Sequence, residues 1–206
     1  MSDFDLFTSV KIGEGKFREV FSFGDLAIKT LKPHFTKKYG RFNVNMPTGL
    51  YTKYKFGIRD FNEHEFAVYR DFIDRVPEVF RDSFYQIYTI LHNEGKSYLL
   101  TRLIKDDDGH ISRTMSQTGH IQDTSFWERF DQLEDILVEQ DIALTDLNSA
   151  NIVVQRSGNN TIPVFTDYKR FGNRTYPAQF WLASRSQRAK KIQRNLQTLR
   201  DKHQVF

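Results

Sequence analysis

Between Ile142 and Val154, an apolar run is interrupted by polar residues and then resumes as a strand-like stretch. Asp146 and Asn151 lie five residues apart, and Ile152–Val154 follows at once. A second apolar stretch leads to Asp167, which is 16 residues after Asn151. Asp and Asn also cap turns and helices, so each residue alone has a purely structural interpretation. Together they predict two short strands with polar side chains at their ends.

A glycine-containing turn, Gly13-Glu14-Gly15, precedes strand-like residues near the start of the chain. Lys29 follows Gly13 by 16 residues, in the apolar stretch Leu26–Lys29. Glycine lets a backbone approach phosphates closely, and lysine meets phosphate as a point charge. Two glycines in a turn are often only a turn, and most strand lysines are exposed. The spacing favours phosphate binding.

Residues 61–73 have the apolar spacing of a helix, because Phe61, Glu65, Val68 and Phe72 recur on one face. Glu65 shares that face and is predicted to pair with Lys29. Glu63 is an alternative partner on another face. The structural interpretation of either residue is an ordinary surface carboxylate.

From about residue 10 to residue 170, the order and spacing of these motifs resemble those of protein kinases. The resemblance implies that Lys29 and Glu65 hold ATP and that Asn151 and Asp167 hold magnesium. It implies that Asp146 accepts the proton of the acceptor hydroxyl. The predicted nucleotide-binding residues are Gly13, Gly15, Lys29, Glu65, Arg102 and Leu103, the last two lying where the first lobe ends.

From Asp146 to about Leu199, the chain also resembles the PhoP-regulatory-network (YrbL-like) family of small bacterial kinase-like proteins. The shared pattern is a Leu-x-x-x-Asn-Ile loop, an Ile-Pro-Val strand ending in Asp167, and a basic terminal helix bearing Trp181. This resemblance implies a kinase-like fold and a bacterial cytoplasmic protein. It implies little about the substrate.

Three positions depart from the kinase pattern. Arg18 stands at the third glycine, Leu144-Thr145 replaces the His-Arg pair, and Lys169 replaces the glycine after Asp167. No Ala-Pro-Glu motif follows, and the remaining residues are too few for the helices that hold peptide substrates. We therefore expect a phosphotransferase acting on a small-molecule, sugar or glycan hydroxyl. The same departures favour an alternative, a nucleotide-binding pseudokinase with a regulatory role.

The formal net charge of +4 is unevenly distributed. Residues 174–206 carry eight lysines and arginines against Asp201 alone, and residues 32–60 carry seven against Asp60. These basic patches are either solvated faces or binding sites for anionic lipid or nucleic acid. The chain has no cysteine, which excludes disulfides and thiolate chemistry. No apolar run approaches the roughly 20 residues that span a bilayer, so the sequence predicts no transmembrane segment and a cytoplasmic location.

The pattern predicts an α+β, protein-kinase-like fold. Residues 1–103 form a small antiparallel-sheet lobe with one helix and a basic, aromatic insertion at 32–60. Residues 104–206 form a reduced, mainly helical lobe with a polar loop at 105–122 and the catalytic-type loop at 142–154. A capping box at Ser125–Glu128 is expected to start one helix. Pro177 is expected in the first turn of the basic final helix, at about 177–203.

Overall fold

The computed structural model describes residues 9–39, 42–142, 144, 147–168 and 184–204. Asp146, Pro177 and Trp181 lie outside these ranges. The chain divides into two compact units, one of residues 1–67 and 86–103, the other of residues 68–85 and 104–206. Within the described part of the chain, no helix is both long enough and apolar enough to cross a bilayer.

The secondary structure consists of ten short strands and five helices among the described residues, together with two short 3-10 turns. In chain order, the elements are β1 (Val10–Glu14), β2 (Arg18–Phe23), β3 (Leu26–Leu31), β4 (His34–Tyr39), β5 (Phe42–Pro47), α1 (Thr48–Phe56), α2 (Phe61–Phe72), β6 (Ile87–Asn93), β7 (Lys96–Arg102), β8 (Arg113–Thr114), α3 (Met115–Thr118), α4 (Thr124–Glu139), β9 (Ile152–Ser157), β10 (Asn160–Phe165) and α5 (Arg185–His203).

The first unit is built on an antiparallel sheet with the strand order β1-β2-β3-β7-β6. A tight turn at Glu94 and Gly95, with φ of 48° and 73°, joins β6 to β7. Positive φ at both turn residues matches the twist of the flanking strands. The last two residues of β6, His92 and Asn93, still pair with the start of β7, so the turn is two residues long.

The insertion at 32–60, whose structure the sequence left open, folds into the antiparallel hairpin β4–β5 followed by α1. Tyr51 of α1 is buried, and Phe17 lies between it and Phe61 with ring centroids 5.9 and 5.3 Å away. Gly57 ends α1 in the left-handed conformation, with φ of 69°. The insertion therefore packs on the first unit through aromatic side chains.

Helix α2 follows the predicted periodicity, since Phe61, Glu65, Val68 and Phe72 are all buried. The Asp60 carboxylate accepts a hydrogen bond of 2.7 Å from the Asn62 backbone N–H. That bond satisfies one of the otherwise unpaired donors at the helix start. The helix thereby presents the Glu65 side chain to the interior of the first unit.

The second unit combines a sheet of order β10-β9-β8 with α4, which packs against β10 and α5. The buried face of α4 consists of Phe126, Trp127, Phe130, Leu133, Ile136 and Leu137. The predicted capping box at Ser125 is wrong. Asp123 is the N-cap and accepts from the Ser125 backbone N–H at 2.9 Å, so the helix starts earlier. An aspartate accepts this bond as well as a serine does.

The segment 105–122, predicted as a polar loop, contains β8 and α3, and Thr114 with Gln117 forms a capping box at the start of α3. The final helix begins at Arg185, with Ser184 as its N-cap, rather than at about 177. The Ser184 hydroxyl accepts a hydrogen bond of 3.2 Å from the Gln187 backbone N–H, as N-cap serines commonly do. The buried face of α5 includes Ile192, Leu196 and Leu199.

Candidate nucleotide and metal site

The glycine turn connects β1 and β2, and the Gly15 N–H donates to the Arg18 carbonyl at 2.8 Å. A Cβ added at Gly13 would lie 3.7 Å from the Val20 Cβ, and one added at Gly15 would lie 3.7 Å from the Arg18 carbonyl oxygen. These are ordinary van der Waals distances, so the internal packing of the described residues does not itself require glycine at either position.

Glu14 places a carboxylate within this turn, where it forms ion pairs with Lys11 and Lys32. Hydrogen bonds from Lys11 first, and then from Lys32, lower the pKa of Glu14 to about 2. The carboxylate is therefore charged at neutral pH, and the two ammonium groups beside it offset its negative charge.

Lys29 and Glu65 are brought together in the first unit. The Lys29 Nζ lies 3.0 Å from the Glu65 Oε1, and the two residues are 9% and 1% exposed. The alternative partner Glu63 is exposed, and its Oε1 lies 3.8 Å from His92 Nε2. Of the two glutamates, Glu65 is thus the one with a described ion pair to Lys29.

Two further residues in this cluster were missed by sequence reasoning. The Arg18 guanidinium forms an ion pair with the Glu65 Oε2, and its Nη1 donates to the Asn62 Oδ1 at 3.4 Å. Asn62 is 0% exposed, and its amide nitrogen lies 3.0 Å from the Lys29 carbonyl oxygen. The only sequence signal was that Arg18 interrupts a glycine pattern, which indicates an unusual side chain but not its partner.

Arg102 and Leu103 lie where β7 ends. The Arg102 N–H donates to the Gln86 carbonyl at 2.8 Å, and the Leu103 N–H donates to the Asp25 carbonyl at 2.9 Å. Both amide hydrogens are thus used within the protein. Any contact of these two residues with a nucleotide would involve their carbonyl oxygens or side chains.

In the second unit, Asn151 immediately precedes β9, and Asp167 follows β10 by two residues. The two strands pair with Phe165 opposite Ile152, which brings these ends together. Thr166 donates to the Asn151 carbonyl through both its backbone N–H, at 2.8 Å, and its hydroxyl, at 3.0 Å. Asn151 and the residue before Asp167 are therefore directly connected.

The backbone of Asp167 is left-handed, with φ of 62°. A non-glycine residue held in such a conformation costs about 1–3 kcal/mol, and residues of this kind cluster at functional sites. The neighbouring side chain explains how the conformation is maintained. Tyr168 is 0% exposed, and its hydroxyl lies 3.0 Å from the carbonyl oxygens of both Tyr85 and Phe165.

The Tyr168 ring is enclosed by aromatic residues of the second unit. Ring centroids lie 4.7 Å away for Tyr85, 5.0 Å for Phe72 and 5.7 Å for Tyr69. The Tyr168 hydroxyl is therefore in hydrogen-bonding reach of two carbonyl oxygens while its ring stays buried. The Tyr168 side chain, directly after Asp167, is therefore held in place by the surrounding aromatic rings.

Asp146, the predicted base, lies outside the described residues. Its described neighbours Leu144 and Leu147 are buried, at 7% and 9% exposed. Asp141, with φ of 50°, precedes this loop and forms an ion pair with Arg188 of α5. Because the Arg188 guanidinium donates hydrogen bonds to the Asp141 carboxylate, the pKa of Arg188 is raised above its ordinary value.

Among solved structures, the chain is similar to one described as "PpkA-294 apo form", with a TM-score of 0.50 and 17% sequence identity. The match covers 77% of this chain and 56% of that one, so the chain spans little more than half of that structure. At this identity the likeness shows the fold alone. It confirms the predicted class, an α+β fold with an N-terminal antiparallel sheet and helices, structurally similar to a protein kinase.

No curated protein matches this sequence. The family model described as "PhoP regulatory network protein YrbL" matches residues 4–204. That range extends well beyond the segment, from Asp146 to about Leu199, on which the sequence resemblance rested. With nearly all of its residues covered by that model, this chain belongs to the PhoP regulatory network protein YrbL family.

Proposed function

We propose that this protein binds ATP with magnesium and transfers the γ-phosphate to a hydroxyl of a small molecule, sugar or glycan. Lys29 contacts the phosphates, Glu65 fixes Lys29, and Asp146 accepts the hydroxyl proton. The observation that carries the proposal is the buried ion pair between Lys29 and Glu65. Buried ion pairs contribute little net stability, so a binding function explains this one better.

The glycine turn supports the same proposal. At both Gly13 and Gly15, the space that a Cβ would occupy is not crowded by other atoms of the protein. Glycine there leaves room for a phosphate to approach the backbone of the turn closely. If these glycines were needed only for packing within the protein, other atoms would crowd the space beside them.

Asn151 and Asp167 fit a magnesium ion chemically. Both offer oxygen ligands, which Mg²⁺ prefers, and they are linked through Thr166. Magnesium usually binds one or two carboxylates together with substrate phosphates and water, so this small donor set suffices. When bound, the ion neutralises charge on the phosphates.

The proposal also names the chemical class of the phosphate acceptor. Residues 168–206 contain no Ala-Pro-Glu motif, which in protein kinases closes the activation segment. A small-molecule or glycan hydroxyl needs no such segment. Dependence on ATP also favours a cytoplasmic location, where ATP is available.

ATP with Mg²⁺ should raise the thermal unfolding midpoint of the protein, because a ligand that binds only the native state stabilises it. At a ligand concentration of 100 times Kd, this stabilisation is about 2.7 kcal/mol. Lys29→Met should remove most of the shift, since it deletes a cation at the phosphates. Differential scanning fluorimetry measures both.

Lys96→Met is the matched control, because Lys96 is an exposed lysine of the same sheet. It should keep the full shift. A shift that survives Lys29→Met unchanged would contradict the assigned role of Lys29. Comparing the unfolding midpoints of Lys29→Met and wild type without nucleotide shows whether the substitution itself destabilises the fold.

A pseudokinase is the second candidate, because Arg18 fills the third glycine position and its side chain joins the Glu65 cluster. Such a protein would bind nucleotide without turnover. ADP release at saturating ATP separates the two functions, since only the enzyme releases ADP continuously.

Binding of a polyanion or membrane surface is a third candidate. In α5, Arg188 pairs with Asp141 and Arg200 with Asp131, so part of the basic tail has acidic partners within the second unit. Lys190, Arg194 and Lys202 are exposed. Binding through these residues would weaken steeply with added salt, because bound counterions are released.

A further inference from the structure

Arg18 is a buried arginine whose contacts mirror those of Lys29. Its side chain is 10% exposed, and that of Lys29 is 11% exposed. Arg18 contacts one oxygen of the Glu65 carboxylate, and Lys29 contacts the other. The two cations therefore lie at similar depth on the two sides of one carboxylate.

The register of the sheet places both side chains on the same face. Val20 pairs with Lys29 and Arg18 pairs with Leu31. Residues opposite each other across strands share a face, as do alternate residues along one strand. The face that presents Lys29 thus also presents Arg18, the first residue of β2 after the glycine turn.

Asn62 helps to hold the two cations in place. Its amide nitrogen lies 3.0 Å from the Lys29 carbonyl oxygen and 3.1 Å from the Ser97 carbonyl oxygen. These contacts orient its Oδ1, which accepts from Arg18 at 3.4 Å. A guanidinium held by an ordered amide and a carboxylate is pre-positioned, which lowers the entropic cost of binding an anion.

We propose that Arg18 is a second phosphate-binding cation of the nucleotide site, which contacts the phosphates of a nucleoside di- or triphosphate together with Lys29. This inference rests on the proposed function. The guanidinium offers a planar set of N–H donors that matches phosphate geometry. Where the kinase pattern has a third glycine, this chain supplies a charged side chain instead.

The first test compares affinities for ATP, ADP and adenosine in wild type, Arg18→Gln and Arg18→Lys, by calorimetric titration with Mg²⁺. Arg18→Gln should weaken ATP and ADP binding by about ten- to a hundredfold, the usual effect of losing a hydrogen bond to a charged group. Adenosine affinity should not change. Arg18→Lys keeps the positive charge and should recover part of the loss, even if Arg18→Gln folds poorly.

A purely structural Arg18 that only orients Glu65 and Lys29 would also weaken ATP binding. The second test therefore compares Lys29→Met with the double variant Lys29→Met/Arg18→Gln. If Arg18 contacts phosphate itself, Lys29→Met retains some preference for ATP over adenosine, and the double variant loses about a further tenfold in ATP affinity. The structural role predicts the same ATP affinity for both.

Equal ATP affinities in these two variants, or a Lys29→Met protein with no preference for ATP over adenosine, would overturn the role of Arg18 and leave the proposed function standing. An unchanged ATP affinity in Arg18→Gln would do the same. A wild type that binds neither ATP nor ADP would overturn both proposals, so the two failures are distinguishable.

Discussion

Asp146→Ala should reduce phosphate transfer from ATP by about 10²–10⁴, the usual effect of removing a positioned general base. Its affinity for ATP should stay nearly unchanged, because the proposed role of Asp146 is at the acceptor hydroxyl. Leu144 and Leu147, the described residues nearest to Asp146, are buried. The substitution leaves both of them in place, so the variant should fold. ADP release measures turnover, with cell extract supplying the unidentified acceptor, and ATP titration measures binding.

Asp108→Ala is the matched control for this substitution. Asp108 is an exposed aspartate of the same unit, which lies 3.1 Å from His110. It should release ADP at the wild-type rate. If wild type binds ATP but its ADP release is unchanged by Asp146→Ala, the enzyme proposal fails and the pseudokinase is the better account.

Asp167→Asn should abolish most of the magnesium dependence of ATP binding. It should also reduce the rate of phosphate transfer from ATP. A carboxylate that binds the metal stabilises the bound metal–phosphate complex, and an amide does so less well. Asparagine is the informative replacement because it tolerates left-handed backbone. The φ of 62° at this position would strain most other side chains. Alanine would combine loss of the ligand with backbone strain.

The measurement is ATP affinity with Mg²⁺ and with EDTA, in wild type and in Asp167→Asn. Wild type should bind ATP more tightly with Mg²⁺, and the variant should show little difference between the two conditions. Asp108→Asn should behave as wild type. A variant with undiminished magnesium dependence would show that Asp167 does not hold the metal.

Local periodicity explains why part of the first unit could be predicted. Helix α2 repeats its apolar residues at helical spacing, and this placed Glu65 on the buried face. Lys29 lies on a strand bounded by recognisable turn residues. The pairing of the Lys29 and Glu65 side chains could then be predicted from the order of the motifs.

The contacts of Arg18 could not be predicted in the same way. Arg18 and Glu65 are 47 residues apart in sequence, and the pair forms only once strand and helix pack together. A missing glycine indicates that a side chain is present but not where it points. The insertion at 32–60 was missed for a related reason, since its hairpin has no Asn-Gly or Asp-Gly turn signal.

The predicted start of α4 was wrong because two nearby residues could each serve as its N-cap. Asp123 and Ser125 both suit an N-cap, and the aspartate takes the position while the serine hydroxyl also donates to it at 2.7 Å. Sequence alone gives these two residues similar rank. Helix α5 begins at Arg185, after the N-cap Ser184, and the residue that prompted the earlier predicted start, Pro177, lies outside the described residues.

The most direct test of the central proposal is a calorimetric titration of the wild-type protein with ATP, at saturating Mg²⁺ and again with EDTA. The account predicts saturable binding of one ATP per chain that is tighter with Mg²⁺, and much weaker binding of adenosine. No heat of binding from ATP at millimolar concentration, with Mg²⁺ present and the protein folded, would contradict it.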